Sequence, residues 1–154
     1  MPSESTTAGS DRVAAAAAQL RAIHDGLREQ LSATLAAVDA YLDGSGPAPE
    51  RLTSLHEHCL SFCGALHAHH SREDSVFPRL AADFPELKPV LDRLSQEHTE
   101  VAALNEQIST TLDQLSAAPT RAETQRLRTD IDRLTATLES HYGYEEAHLA
   151  PALA

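Results

Sequence analysis

Apolar side chains return every three or four positions through four long stretches of the chain, the spacing of one buried helix face. The first stripe reads Val13, Ala17, Leu20, His24, Leu27, Leu31, Leu35, Val38 and Leu42; the second reads Leu52, Leu55, Cys59, Phe62, Leu66, His69, Glu73, Val76 and Leu80. The third carries Leu87, Leu91, Leu94, His98, Val101, Leu104, Ile108, Leu112 and Leu115, and the fourth Leu127, Ile131, Leu134, Leu138, His141, Glu145 and Leu149. Gly and Pro interrupt the pattern at GSGPAP (44–49) and at AAPT (117–120). Helices are therefore predicted from about Asp11, capped by Ser10, to the first break, and over about Glu50–Ala82, with Pro78 breaking or kinking the last turn. A third should start near Glu86 with Pro89 in its first turn, and a fourth should end before Pro151. Residues 1–9 are small and polar without periodicity, so they are expected to be disordered and 10–154 to form the domain. Short connections force antiparallel neighbours, which gives an all-α, up-down-up-down four-helix bundle.

Each stripe also contains polar residues in seats where an ordinary bundle would carry Leu. His69-x-x-x-Glu73 in helix two and His141-x-x-x-Glu145 in helix four each put an imidazole and a carboxylate on one face, while His24 and His98 hold equivalent seats in the other helices. Counting residues from the breaks brings all six to one height, nearer one end of the bundle. A single core histidine is ordinarily satisfied by a neighbour. Six polar groups at one level would carry a burial cost of about 1–3 kcal/mol each unless something binds them. A metal pair is the economical answer.

Imidazole and carboxylate without thiolate suit iron, manganese or zinc. One zinc needs only three or four ligands, so six fit two ions better, with Glu73 and Glu145 bridging and two histidines for each ion. A ferritin-like carboxylate site would need Glu-x-x-His on two helices; Glu145-x-x-His148 fits once, but nothing near Glu73 does. His148 is the best further candidate ligand. His67 and His70 point 100° or more away from His69, with His70 expected at solvent or behind the ligands. His56 and His58 lie too far along the axis. Asp74 and Glu146, one step round from the bridging positions, are expected to be dispensable for metal. Tyr142 and Tyr144 are expected in core or surface roles, and Cys59 and Cys63 as buried free thiols.

The composition narrows the class further. A chain of 154 residues fits one domain, and its formal charge of −11 leaves no basic stripe to neutralise nucleic-acid phosphates. An anionic membrane surface would repel it too. The N-terminus MPSESTTAGSD has neither the basic nor the apolar part of a secretory signal, and Ala14–Ala18 is too short to span a bilayer. The expected location is the cytoplasm, with neither nucleic acid nor membrane as partner.

The chain resembles the hemerythrin-like (HHE cation-binding) family over about residues 15 to 153. The resemblance is carried by His24, HHSREDSVFPRL (69–80), QEHTEV (96–101) and HYGYEEAHLAPAL (141–153). The family pattern of His, His-x-x-x-Glu, His, His-x-x-x-Glu falls on His24, His69, Glu73, His98, His141 and Glu145. The resemblance implies a hemerythrin-like bundle around a non-haem centre of two Fe ions, oxo- or hydroxo-bridged. Classical oxygen carriers of the family use five histidines and two carboxylates, whereas four histidines and two carboxylates stand here. That set is harder and more anionic, which favours the ferric state over reversible oxygenation. The chain is accordingly more similar to members associated with iron, peroxide or nitric oxide responses. The implied function is to bind or sense oxygen, nitric oxide, peroxide or iron, with a protein partner if it signals. The alternative is a di-iron redox enzyme for peroxide disproportionation or oxygen activation on a small substrate. An apolar pocket beside the metals would favour the enzyme.

Overall fold

The computed structural model describes residues 3–43, 48–115, 120–149 and 151. Helix α1 spans Ser3–Asp43, α2 Ala48–Asp83, α3 Lys88–Gln114 and α4 Arg121–His148, with a 3₁₀ turn at Pro85–Leu87 leading into α3. Each helix contacts the next and α4 closes on α1, while among the described residues neither diagonal pair brings its Cα atoms within 8 Å, so the diagonals meet only through side chains. This is the ring of an up-down-up-down bundle. No helix among the described residues is long and apolar enough to cross a membrane.

The ends show how the sequence sets the elements. Thr120 accepts a hydrogen bond from the Glu123 amide at 3.2 Å, capping α4 with an acidic residue in its first turn. Pro89 sits in the first turn of α3, where its missing N–H has no helical partner to lose. Three expectations need correction. First, α1 starts at Ser3, ahead of the start near Asp11 that the spacing predicts. Lengthening an existing helix fixes one residue per hydrogen bond and avoids the cost of a new nucleus. Second, α2 starts at Ala48, so Ala48 and Pro49 belong to the helix and not to the break.

Third, α2 continues through Pro78 to Asp83. A proline in a helix interior costs about 3 kcal/mol through its lost donor and its crowding of the preceding turn. Around it, Phe77, Leu80 and Ala81 pack into an apolar cluster with Leu87, Leu91, Leu94 and Leu149, and that burial offsets the cost. The same cluster explains a shift in the stripe. Val76, expected in the core, is 49% exposed, while its neighbour Phe77 is buried.

The apolar interior comes in two parts. The larger cluster runs from Leu27 to Tyr41 on α1, Leu55 to Leu66 on α2, Val101 to Leu115 on and just past α3, and Leu127 to Tyr142 on α4. The smaller lies around Phe77, Leu87, Leu91, Leu94 and Leu149 at the other end. On α2 and α3 the polar positions His69 to Glu73 and His98 fall between the two, and on α4 His141 and Glu145 flank Tyr142, the last residue of the larger cluster, ahead of Leu149 of the smaller. Ion pairs brace the outside of the large cluster, with Arg28 Nε on Glu139 Oε1 at 2.9 Å and Arg128 on Asp39 tying α1 to α4.

Candidate metal centre

The six expected residues come together. His24, His69, His98, His141 and Glu145 are at most 5% exposed, and Glu73 is only 12% exposed at its side chain. Glu73 Oε1 lies 3.2 Å from His69 Nε2 and 3.3 Å from His98 Nε2. Glu145 mirrors it, with Oε1 3.8 Å from His24 Nε2 and Oε2 3.2 Å from His141 Nε2. Two groups of potential donors result, each with its donor atoms within 4.8 Å of one another: His24, His69 and Glu145, and His70, Glu73, His98 and His141. Each carboxylate therefore touches one imidazole from each group. That is where a bridging carboxylate has to stand.

His70 is the residue the sequence pattern missed. Instead of facing solvent it is 6% exposed, stacked on His98 with ring centroids 4.0 Å apart. Both α1 and α3 pack on α2, so its buried arc is wide enough to take positions 100° apart. Conversely His148, the favoured extra ligand, is exposed and lies against Tyr144 at 4.3 Å. Leu149 takes the buried seat where α4 ends. His67 is exposed beside Ser71, and Tyr142 is a core residue stacked on His24 at 4.2 Å. Cys59 is buried and Cys63 half-buried, both free, with the Cys59 thiol pushed up to about 12 by burial.

Outside the donor atoms, carboxylates hold the histidine rings. Asp74 Oδ1 lies 2.8 Å from His98 Nδ1 and Glu97 Oε1 3.0 Å from His141 Nδ1. An ionised carboxylate only accepts, so both Nδ1 atoms donate and both Nε2 lone pairs face inward. Glu146 Oε1 approaches His24 Nδ1 at 3.8 Å. Asp74, expected to be dispensable, thus hydrogen-bonds the His98 ring across α2 and α3, whereas Glu146 stays beyond hydrogen-bond reach of His24.

Burial governs the charges. It lowers His24 to about 4 and His70 to about 2, with neighbouring imidazoles pushing the same way; it also lowers His69 and His98. His141 goes up, because its contacts with Glu145 and Glu97 outweigh burial. Burial and the adjacent Glu145 carboxylate raise Glu73, whereas contacts with His141 and Glu73 overcome burial and hold Glu145 low. Without a cation the two glutamates thus titrate as one coupled pair.

The donor set fits a cation. Nε2 of His24, His69, His70, His98 and His141 all lack a hydrogen-bond partner, as do Glu73 Oε1 and both Glu145 oxygens. So many buried polar atoms without partners carry a cost that metal–ligand bonds would repay. A cavity of about 330 Å³ opens beside His69 and Glu73, walled by Leu20, Ile23, Val76, Phe77, Leu80 and Leu149, with Gln19 and Arg72 also lining it. A second, more polar one of about 210 Å³ lies between α2 and α3 against His70 and His98.

Residues 15–153 match the family model of the hemerythrin HHE cation binding domain, and the chain belongs to that family. No curated protein and no solved structure matches the chain.

Proposed function

We propose, starting from this membership, that the protein holds two iron ions between His24, His69, Glu73, His98, His141 and Glu145. Through them it binds or senses oxygen, nitric oxide, peroxide or iron. The observation that carries the reading is the pair of glutamates, each set between an imidazole of one group and an imidazole of the other. Imidazole and carboxylate without thiolate is a donor set that iron accepts. A bound iron pair supplies two adjacent redox-active centres.

The chain's own residues prepare for that charge. Loading with cations favours the ionised form of both carboxylates, whose charges offset the repulsion between the cations. Asp74 and Glu97 fix two rings so that their Nε2 atoms need no reorganisation. The apolar clusters cover the layer above and below, and the two side cavities leave it reachable between helices. As a sensor, the domain would pass its state to a protein partner.

A second reading, a redox enzyme, has one observation in its favour: the apolar cavity beside His69 and Glu73. Its walls suit a small apolar substrate better than a bare gas channel would require. Protein purified with iron decides between them. Close to two irons per chain with a ferric-pair absorption band is expected; a count near one, or tight zinc alone, would sink the dinuclear reading. Consumption of peroxide or oxygen with turnover, abolished when Val76→Trp fills the cavity, would identify the enzyme. Stoichiometric binding without turnover would identify the sensor.

A further inference from the structure

We propose that His70 is a fifth imidazole ligand, so that the two ions are held unequally, one by His70, His98 and His141 and the other by His24 and His69. The inference rests on the dinuclear reading above and deepens it. It places a ligand on α2 directly after His69, outside the His-x-x-x-Glu pattern.

Four observations converge on this residue. His70 is as buried as the expected ligands, and its Nε2 atom has no hydrogen-bond partner. Its donor atom lies within 4.8 Å of those of Glu73, His98 and His141. Its ring stacks on His98 and meets His141 edge-on at 5.1 Å. Finally, His69 and His70 diverge by about 100° on one helix, so α2 can direct them to different ions. On α3, the position one turn beyond His98 is Ala102, which lines the polar cavity together with His70 and His98. A methyl group there supplies no donor. The neighbouring helix supplies it instead.

A buried imidazole kept only for packing would be replaceable by an apolar ring at no cost in hydrogen bonding. One kept as a ligand is not. The bulk of the two groups then differs in kind: three imidazoles hold one cation in a rigid, nitrogen-rich setting, while the other keeps two. Glu73 and Glu145 serve both.

The test is iron(II) titration of the wild type, of His70→Gln, and of the exposed control His67→Gln, with helicity checked by circular dichroism. Wild type and His67→Gln are expected to bind two ions. His70→Gln should keep one with unchanged affinity and bind the other at least tenfold more weakly. In His70→Gly, free imidazole entering from the adjacent polar cavity should restore the second ion. Two equally tight ions in His70→Gln would overturn the assignment of His70 alone. Fewer than two in the wild type would overturn the dinuclear reading, and this inference with it. Should the variants not fold, cobalt(II)-loaded wild type gives the answer through its exchangeable, hyperfine-shifted imidazole N–H signals. Five are expected, and four would overturn the proposal.

Discussion

Replacing Glu97 by Gln and Asp74 by Asn removes one negative charge from behind His141 and His98 respectively, while keeping size and hydrogen-bonding capacity. Both carboxylates accept from a ring Nδ1–H, which orients the imidazole and makes its Nε2 a better donor. Losing such a partner typically weakens metal binding ten- to a hundredfold, or about 1.4–2.7 kcal/mol. The structure separates the two within that range. Glu97 is 16% exposed and steadied by Arg93 Nε at 3.6 Å, so its charge acts across a poorly solvated gap. Asp74 makes the shorter contact, 2.8 Å, but is 48% exposed, and water screens much of its effect. Glu97→Gln should therefore approach a hundredfold and Asp74→Asn about tenfold or less. Competition for iron(II) against a graded set of chelators measures both. If Asp74→Asn costs as much as Glu97→Gln, contact length rather than burial sets the effect. If neither changes affinity, the rings are held by packing alone and the reasoning is wrong.

In metal-free protein, His24 is lowered to about 4 by burial against an unfolded value near 6.5, so its contribution is present above 6.5 and lost as pH falls toward 4. Urea midpoints should drop across that window, with His69 and His98, also lowered, acting in the same sense and His141, which is raised, opposing them; a flat profile would contradict the burial argument. Glu73 is shifted the other way, so its stabilisation is fully present below about 4.5 and declines as pH rises. Glu73→Gln should accordingly raise the metal-free melting temperature at pH 8 while weakening iron binding, and a lower melting temperature would count against that shift. Leu94→Ala, at a side chain with no exposure in the smaller cluster, should cost about 2–5 kcal/mol in chemical denaturation. Thr120→Ala should cost about 1 kcal/mol through the lost cap, and an unchanged midpoint would show that the end of α4 is held elsewhere.

The bundle was legible because three-and-four spacing and Gly/Pro breaks are local properties. The six level polar seats were legible for the same reason: they interrupt that spacing at matched heights. His70 was not, because a one-helix stripe assumes one buried direction, and α2 is covered by α1 and α3 together. Buried consecutive pairs recur wherever two neighbours meet a helix, as at His141 and Tyr142 or Asp130 and Ile131. A doubled histidine within such a helix was the available signal. The partners of Asp74 and Glu97 lie on other helices, and nothing in their own neighbourhoods announces them. Pro78 misled for a related reason: a local penalty was outweighed by tertiary burial.

The division of the interior by its polar layer has a mechanical consequence. Among the described residues the larger cluster contains 17 buried side chains and the smaller one 5, and the polar layer parts them. Apolar contact runs uninterrupted only within each end, and between them cohesion depends on what joins imidazole to carboxylate. A cation there would act as a rivet. Without it, the short end, with the α2–α3 turn and Leu149, becomes the unit that opens first and exchanges its amides fastest. The occupancy of a site deep in the bundle would then be readable at its surface, as the stiffness of one end.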